Sequence, residues 1–401
     1  MRIIINECKK ILDIRIILLL CMFSILYYMT FTQIYRYPTG GQVTNTKYDI
    51  PFTAELVKEW GPKWKVKDEK QYQEKHQELE RGFAKIIKQD QELSKRGIVD
   101  YEIFNKKYEE LGQKTTLSKQ EKELGKILEN YVFYNDKTSK IFLDIQALEH
   151  IREFQGSEYG VSDKKYKELK ADGFFDGTKL YQKAIEKRVK RDYISLVHEG
   201  VFYILQEDMV TIGGLIMICF FALIIPYQLK QRLRQVIPIL ATTKTGRRIY
   251  QIQLIASALA ALFVGILQMA VYGIIWHLKG LSVFWRCESW GIASNSYWCD
   301  KLSFGTYMLL YMALILLFAI ASIVIIDFIG RTIGNYMGAV AVSIPVCGVM
   351  MFLMRKIYYM LFLITNDQVL AYWELYALAT WLIVMLLFYK IRSNRWKKVD
   401  L

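Results

Sequence analysis

Cysteine, histidine and proline are all scarce in these 401 residues, at six, four and six copies. None of the cysteines falls between residues 36 and 208, so no disulfide supports that long segment. His76, His150 and His198 are scattered through it without metal-ligand spacing, which argues against a zinc centre. No HExxH, no Ser/His/Asp arrangement and no hydrolase-like carboxylate pair is visible. Nor is there a GxxxxGK(S/T) run that could cradle phosphates. An enzyme reading has no residues to rest on, and no cofactor is expected in this chain.

Charge is absent from long stretches. Ile16–Tyr35, Met209–Leu229, Ile249–Trp276, Leu302–Ile326 and Thr332–Met354 contain no charged residue, and Val369–Tyr389 carries only Glu374. About 20 apolar residues cross a hydrocarbon core of roughly 30 Å. A soluble protein is excluded, and six spans are expected. The net charge of +14 lies almost wholly outside residues 36–208, which hold 32 Lys/Arg against 31 Asp/Glu. The excess flanks the spans, so it reads as topology and contact with anionic membrane lipids, with no nucleic-acid partner. With six spans, one side collects 16 basic residues in short segments and the other 5. This bias predicts a plasma-membrane protein with both termini cytoplasmic.

Residues 1–35 comprise an amphipathic inner-face helix, or else a simple cytoplasmic extension, and the first span, which is too long and too bulky at its end for a cleaved signal peptide. Residues 36–208 form an extracytoplasmic domain. Pro51 and Pro62 predict an irregular start, followed by helices from Asp68. Tyr72, His76, Leu79, Phe83 and Ile86 recur at helical spacing, as do Tyr101, Phe104, Tyr108 and Leu111, then Leu124, Ile127, Leu128 and Tyr131, then Ile141, Ile145, Leu148 and Ile151. An amphipathic run from Leu180 to Leu205 leads into the second span. Residues 209–401 supply spans two to six. The fold class is thus an all-α membrane protein of six transmembrane helices, with a mostly helical extracytoplasmic domain inserted after the first. In the outer loop after span three, Cys287 and Cys299 are expected to pair, which contributes about 3 kcal/mol by loop closure. Asp327 and Arg331, four apart, read as an interfacial pair or a snorkelling arginine.

Tyr227–Gln253, YQLKQRLRQVIPILATTKTGRRIYQIQ, is the longest internal cytoplasmic loop of this layout. Leu229, Leu233, Val236 and Ile237 give it an apolar side, beside Arg232 and Arg234. Pro238 interrupts it, and Thr243, Gly246 and Arg247 lie where the third span begins. The stretch ILATTKTGRR resembles the coupling loop of ABC type-2 exporter permeases, and the order of spans and inserted domain is similar to that family's branch with a large external domain. In place of that family's usual acidic residue early in the coupling helix, this chain has Gln231 and Arg232. Ile357–Asn366, too short to cross, fits the position of that branch's re-entrant helices.

The resemblance implies a permease with a coupling loop at 228–248, paired with a second permease chain, identical or not. Two copies of a cytoplasmic ABC ATPase would bind ATP and Mg on its behalf. The cargo would be amphipathic: a peptide, an antibiotic or a lipid-like molecule. The alternative is a membrane-embedded sensor whose external domain recognises a ligand or partner protein, although five further spans exceed what a simple receptor needs.

The charge bias predicts that a cysteine replacing Lys119 reacts with impermeant maleimide in intact cells. Reaction only after lysis would overturn the orientation.

Overall fold

The computed structural model describes residues 2–37, 49–65, 68–114, 116–156, 177–183, 193–233, 249–288, 297–298, 302–359, 361–364 and 368–399. Among them are six helices long and apolar enough to cross a membrane, one for each charge-poor run. The chain opens with α1 (Arg2–Ile11), amphipathic as its pattern predicts, with Ile11 and also Glu7 buried. Asp13 ends it and starts the next helix, because its side chain accepts from the Arg15 amide. The first span is α2 (Ile14–Phe31), followed by the single turn α3 (Gln33–Arg36).

The inserted segment starts with α4 (Asp49–Trp60) rather than irregular chain. Pro51 falls within the first turn of that helix, where a missing N–H has no intrahelical partner to lose. After β1 (Lys63–Lys65) come α5 (Glu69–Ile87), α6 (Gln91–Lys95), α7 (Tyr101–Gln113), α8 (Lys119–Glu129) and α9 (Asp136–Gly156). Local chemistry sets their starts. Asp90 accepts from Leu93, Asp100 from Ile103, and Ser118 with Glu121 closes a reciprocal capping box. A π-helical turn, Asn130–Tyr134, joins α8 to α9, and the Tyr131 carbonyl accepts from the hydroxyls of Thr138 and Ser139.

These helices close on Phe83, Tyr101, Phe104 and Phe142, whose rings meet at centroid distances of 5.1–6.0 Å. Three of the four belong to the periodic positions read from the sequence. Phe142 does not, since it stands one residue beyond the Ile141 stripe, yet it touches all the others.

The expected amphipathic lead from Leu180 into the second span is interrupted. Residues Tyr193–Ser195 form β2, antiparallel to β1 with Trp64 opposite Ile194. Leu196 and Val197 are fully buried just after it, and the helix begins only at Glu199. The segment therefore has two parts. A distal cluster holds the aromatic centre, whereas Ile50, Phe52, Leu56, Trp64, Leu196 and Val197 share one continuous core with the spans.

The second span, α10 (Glu199–Leu233), has 35 residues and so is about 52 Å long, enough to reach from that root through the hydrocarbon core. It is the hub, with 78% of its apolar window buried against 17% for the first and last spans. Around it stand α11 (Ile249–Leu278), α12 (Phe304–Thr332), α13 (Tyr336–Tyr358) and α14 (Trp373–Val399). Between α12's predecessor loop and α13's successor loop, β3 (Tyr297–Trp298) pairs with β4 (Leu363–Ile364). Among the described residues of 357–366 no helix continues past Tyr358, in contrast to the expected re-entrant helix. Phe362 takes a left-handed conformation (φ 59°), and its amide donates to the buried Glu374 carboxylate at 3.0 Å, which commits the chain to a turn and a strand.

One carboxylate in the inserted segment is misplaced by ordinary rules. Asp144, on α9, is 4% exposed, and its Oδ1 has no hydrogen-bond partner among the described residues. Burial pushes its carboxyl up to about 7, opposed by Lys140 and Lys75 and aided by Glu55. Between the ordinary unfolded value of about 4 and that of the fold, the folded protein holds a proton that the unfolded chain releases, so stability falls as pH rises. Relative to Asp144→Asn, the wild type should lose several degrees of melting temperature between pH 4 and pH 7.5. The same difference between the two full chains at both pH values would refute this account.

Candidate functional site

Where α10 ends and α11 begins, four helix ends meet around a charge pair. Asp327 and Arg331, one turn apart on α12, are bonded at 2.8 Å with side chains 0% and 2% exposed. The arginine does not snorkel. Its guanidinium also donates to Gln253 Oε1 on α11 at 2.9 Å and lies 5.0 Å over the Tyr250 ring, which stacks on Tyr389 of α14. The other Asp327 oxygen accepts from Gln228 Nε2 on α10 at 2.6 Å. Gly330 makes this approach feasible, because a Cβ there would stand 2.8 Å from the Gln228 Cβ.

Two further contacts extend the cluster. Tyr227 donates to Glu7 of α1, which also pairs with Lys10 at 2.6 Å. Arg232 donates from one nitrogen to the carbonyls of Arg331 and Thr332, at 3.0 and 2.6 Å, so it neutralises the C-terminal end of α12. Among the described residues, Gln228 Oε1 and Gln253 Nε2 are buried without a hydrogen-bond partner.

Of the residues singled out from the sequence, Leu229 is fully buried in the bundle's own core and Leu233 is 57% exposed. Arg232 serves the α12 terminus. Arg234, Val236, Ile237, Thr243, Gly246 and Arg247 lie outside the described residues, as does Cys299. Cys287 is buried with its Sγ 3.6 Å from the Leu196 carbonyl, and is unpaired among the described residues. Sequence reasoning missed Glu7, Tyr227, Gln228, Tyr250 and Gln253. The available signal was the pair of glutamines, one at the end of each charge-free run facing the loop, since an amide there needs a buried partner.

An apolar cleft of about 470 Å³ opens between α10 and α13, lined by Ile218, Phe221, Ile225, Val340, Ile344 and Met351 among others. Its Ser343 hydroxyl donates to its own helix at Ala339, so the cleft offers a ligand little polarity. Among the described residues, no three His, Cys, Asp or Glu side chains gather to hold a metal ion.

Comparison with known proteins finds no matching family model, no matching curated protein and no matching solved structure.

The expected pairing of Cys287 with Cys299 has a direct test. Denatured, unreduced protein treated with an alkylating reagent should yield one cross-linked peptide and leave both cysteines unmodified. Alkylation of both would rule the bond out.

Proposed function

We propose that this chain is the membrane permease subunit of an ATP-driven exporter of the ABC type-2 class. In this reading both termini and the 234–248 segment are cytoplasmic and the inserted domain is outside. Two copies of a separate ATPase bind ATP and Mg, and a second permease chain completes the transporter. The reading is supported above all by the cluster just described. The two helices that flank the loop are fastened, each within two turns of it, to a common charge pair on a third helix. A loop that merely anchored two spans would need no such attachment, because an apolar packing of similar volume is generally as stable as a buried ion pair. A loop that must transmit force needs its two ends held in a fixed relation to the helices it moves.

The partner-facing set is narrower than the sequence suggests. Leu229 belongs to the bundle, so the apolar contact begins at Leu233 and continues through Val236 and Ile237. The cleft along α13, with almost no polar lining, suits an amphipathic or lipid-like cargo.

Replacing Leu233 and Val236 with Asp should weaken the complex with the ATPase by at least about 100-fold, since each buried aliphatic side chain contributes roughly 1.5–3 kcal/mol. Co-purification of the tagged full chain with its ATPase measures this. Undiminished recovery and unchanged ATP hydrolysis would show that the loop is only an anchor.

A further inference from the structure

Gln228 and Gln253 stand on either side of the 234–248 segment, on different helices, and both amides are fully buried. Each uses one atom of its amide on the span-four charge pair: Gln228 donates to Asp327, and Gln253 accepts from Arg331. Among the described residues each keeps its complementary atom unused, Gln228 its carbonyl oxygen and Gln253 its amino group. The chemistry of the four groups is matched. A carboxylate only accepts, a guanidinium only donates, and a glutamine amide does both. A glutamine that slides by an ångström or two along α12 can therefore bridge both charges, with its idle atom taking up the second one. The set has more than one hydrogen-bonded arrangement, and in none of them does a buried charge lose all its partners. A half-used buried network of this kind is costly if its only purpose is to hold helices together.

We propose that Asp327 and Arg331 are positioning residues that pass displacement of the loop to span four, with Gln228 and Gln253 exchanging hydrogen bonds along the pair as the ends of spans two and three move. Three features set the direction of transmission. Gly330 lets Gln228 approach the α12 backbone closely, so span two cannot shift without span four. Arg232, one turn nearer the loop, grips the terminal carbonyls of the same helix. Tyr250 carries the guanidinium's other face and stacks on Tyr389, which couples the sixth span to the same point. The inference rests on reading the loop as the contact with an ATPase.

The test uses the full permease co-expressed with its ATPase and reconstituted in nanodiscs, on a background lacking native cysteines. Spin labels go on the exposed Leu309 of span four and the exposed Tyr376 of span six, and their distance is measured without nucleotide and after trapping with ATP and vanadate. Four chains are compared: wild type, Asp327→Asn, the exchange Asp327→Arg with Arg331→Asp, and the apolar double variant Asp327→Leu with Arg331→Leu. In the exchange each glutamine can turn its amide over and present the complementary atom. All four should recover equal amounts of ATPase. The nucleotide-dependent change in distance should be present in the wild type, lost in Asp327→Asn and in the apolar variant, and restored in the exchange. ATP hydrolysis by the complex should fall about tenfold in the two that lose it.

An apolar variant that assembles, hydrolyses ATP and shifts its labels like the wild type would overturn the inference, since the pair would then be structural only. So would an exchange variant that assembles but stays uncoupled while Asp327→Asn is unimpaired. A wild type that recovers no ATPase would instead remove the reading on which the inference rests, and the inference with it.

Discussion

Two opposite charges withdrawn from water, in the last turns of α12, constrain the loop end of this bundle. Separately, either Asp327 or Arg331 would carry a desolvation penalty of several kcal/mol. Together, and with a glutamine on each side, they are tolerable. The requirement then propagates outward. Gln228 must lie against α12, so residue 330 has no side chain; Tyr250 must cover the guanidinium, so α11 starts where it does; Tyr389 must back Tyr250, so the last span leans in at that height. The apolar faces of these helices would pack in many registers, and the charge pair selects one.

The inserted domain obeys a different constraint. A domain tethered only by two flexible ends would be free of the bundle, yet this one is not. Its first helix and its strand pair share a core with the spans, and Glu288, beyond the third span, receives Lys63 at 2.7 Å and the Tyr193 hydroxyl at 3.0 Å. Ser195 donates to the Glu288 carbonyl as well. Opposite charge and backbone satisfaction thus bolt the root to the domain-side ends of the spans, while the distal aromatic cluster is separate from that core; α5 and α9 reach both, entering the continuous core through Tyr72, Leu148 and Ile151.

What the sequence reveals follows from which forces act locally. Charge-free runs announce six long helices because the hydrocarbon core admits nothing else, and helix starts in the inserted segment are legible because a cap needs only a residue three positions away. The strand at Tyr193–Ser195 was not legible, since its partner lies about 130 residues earlier and a three-residue strand has no periodicity to detect. Leu229 looked like part of an exposed apolar stripe because the loop's amphipathicity runs straight on from the span, and only packing decides where the bundle stops. Asp327 and Arg331 looked interfacial because their partners, Gln228 and Gln253, come from helices about 99 and 78 residues away.

Both ends of the bundle have charged contacts, Lys63 with Glu288 at one and Arg331 with Asp327 at the other, but the domain end adds bonds to main-chain carbonyls. At the domain end, tyrosines donate to main-chain carbonyls: Tyr28 to Gln268 at 2.8 Å, Tyr307 to Leu361 at 3.2 Å, and Tyr311 to Tyr358. Tyr311 also reaches the Tyr359 carbonyl at 3.4 Å, and the left-handed Phe362 and Tyr372 beside these bonds hold backbone strain that only the surrounding contacts maintain. At the loop end the partners are a carboxylate, a guanidinium and two amides, which offer several acceptors and donors within reach of one another. Relative motion there exchanges bonds without exposing a charge. Small, graded displacement is therefore available where the loop joins the helices.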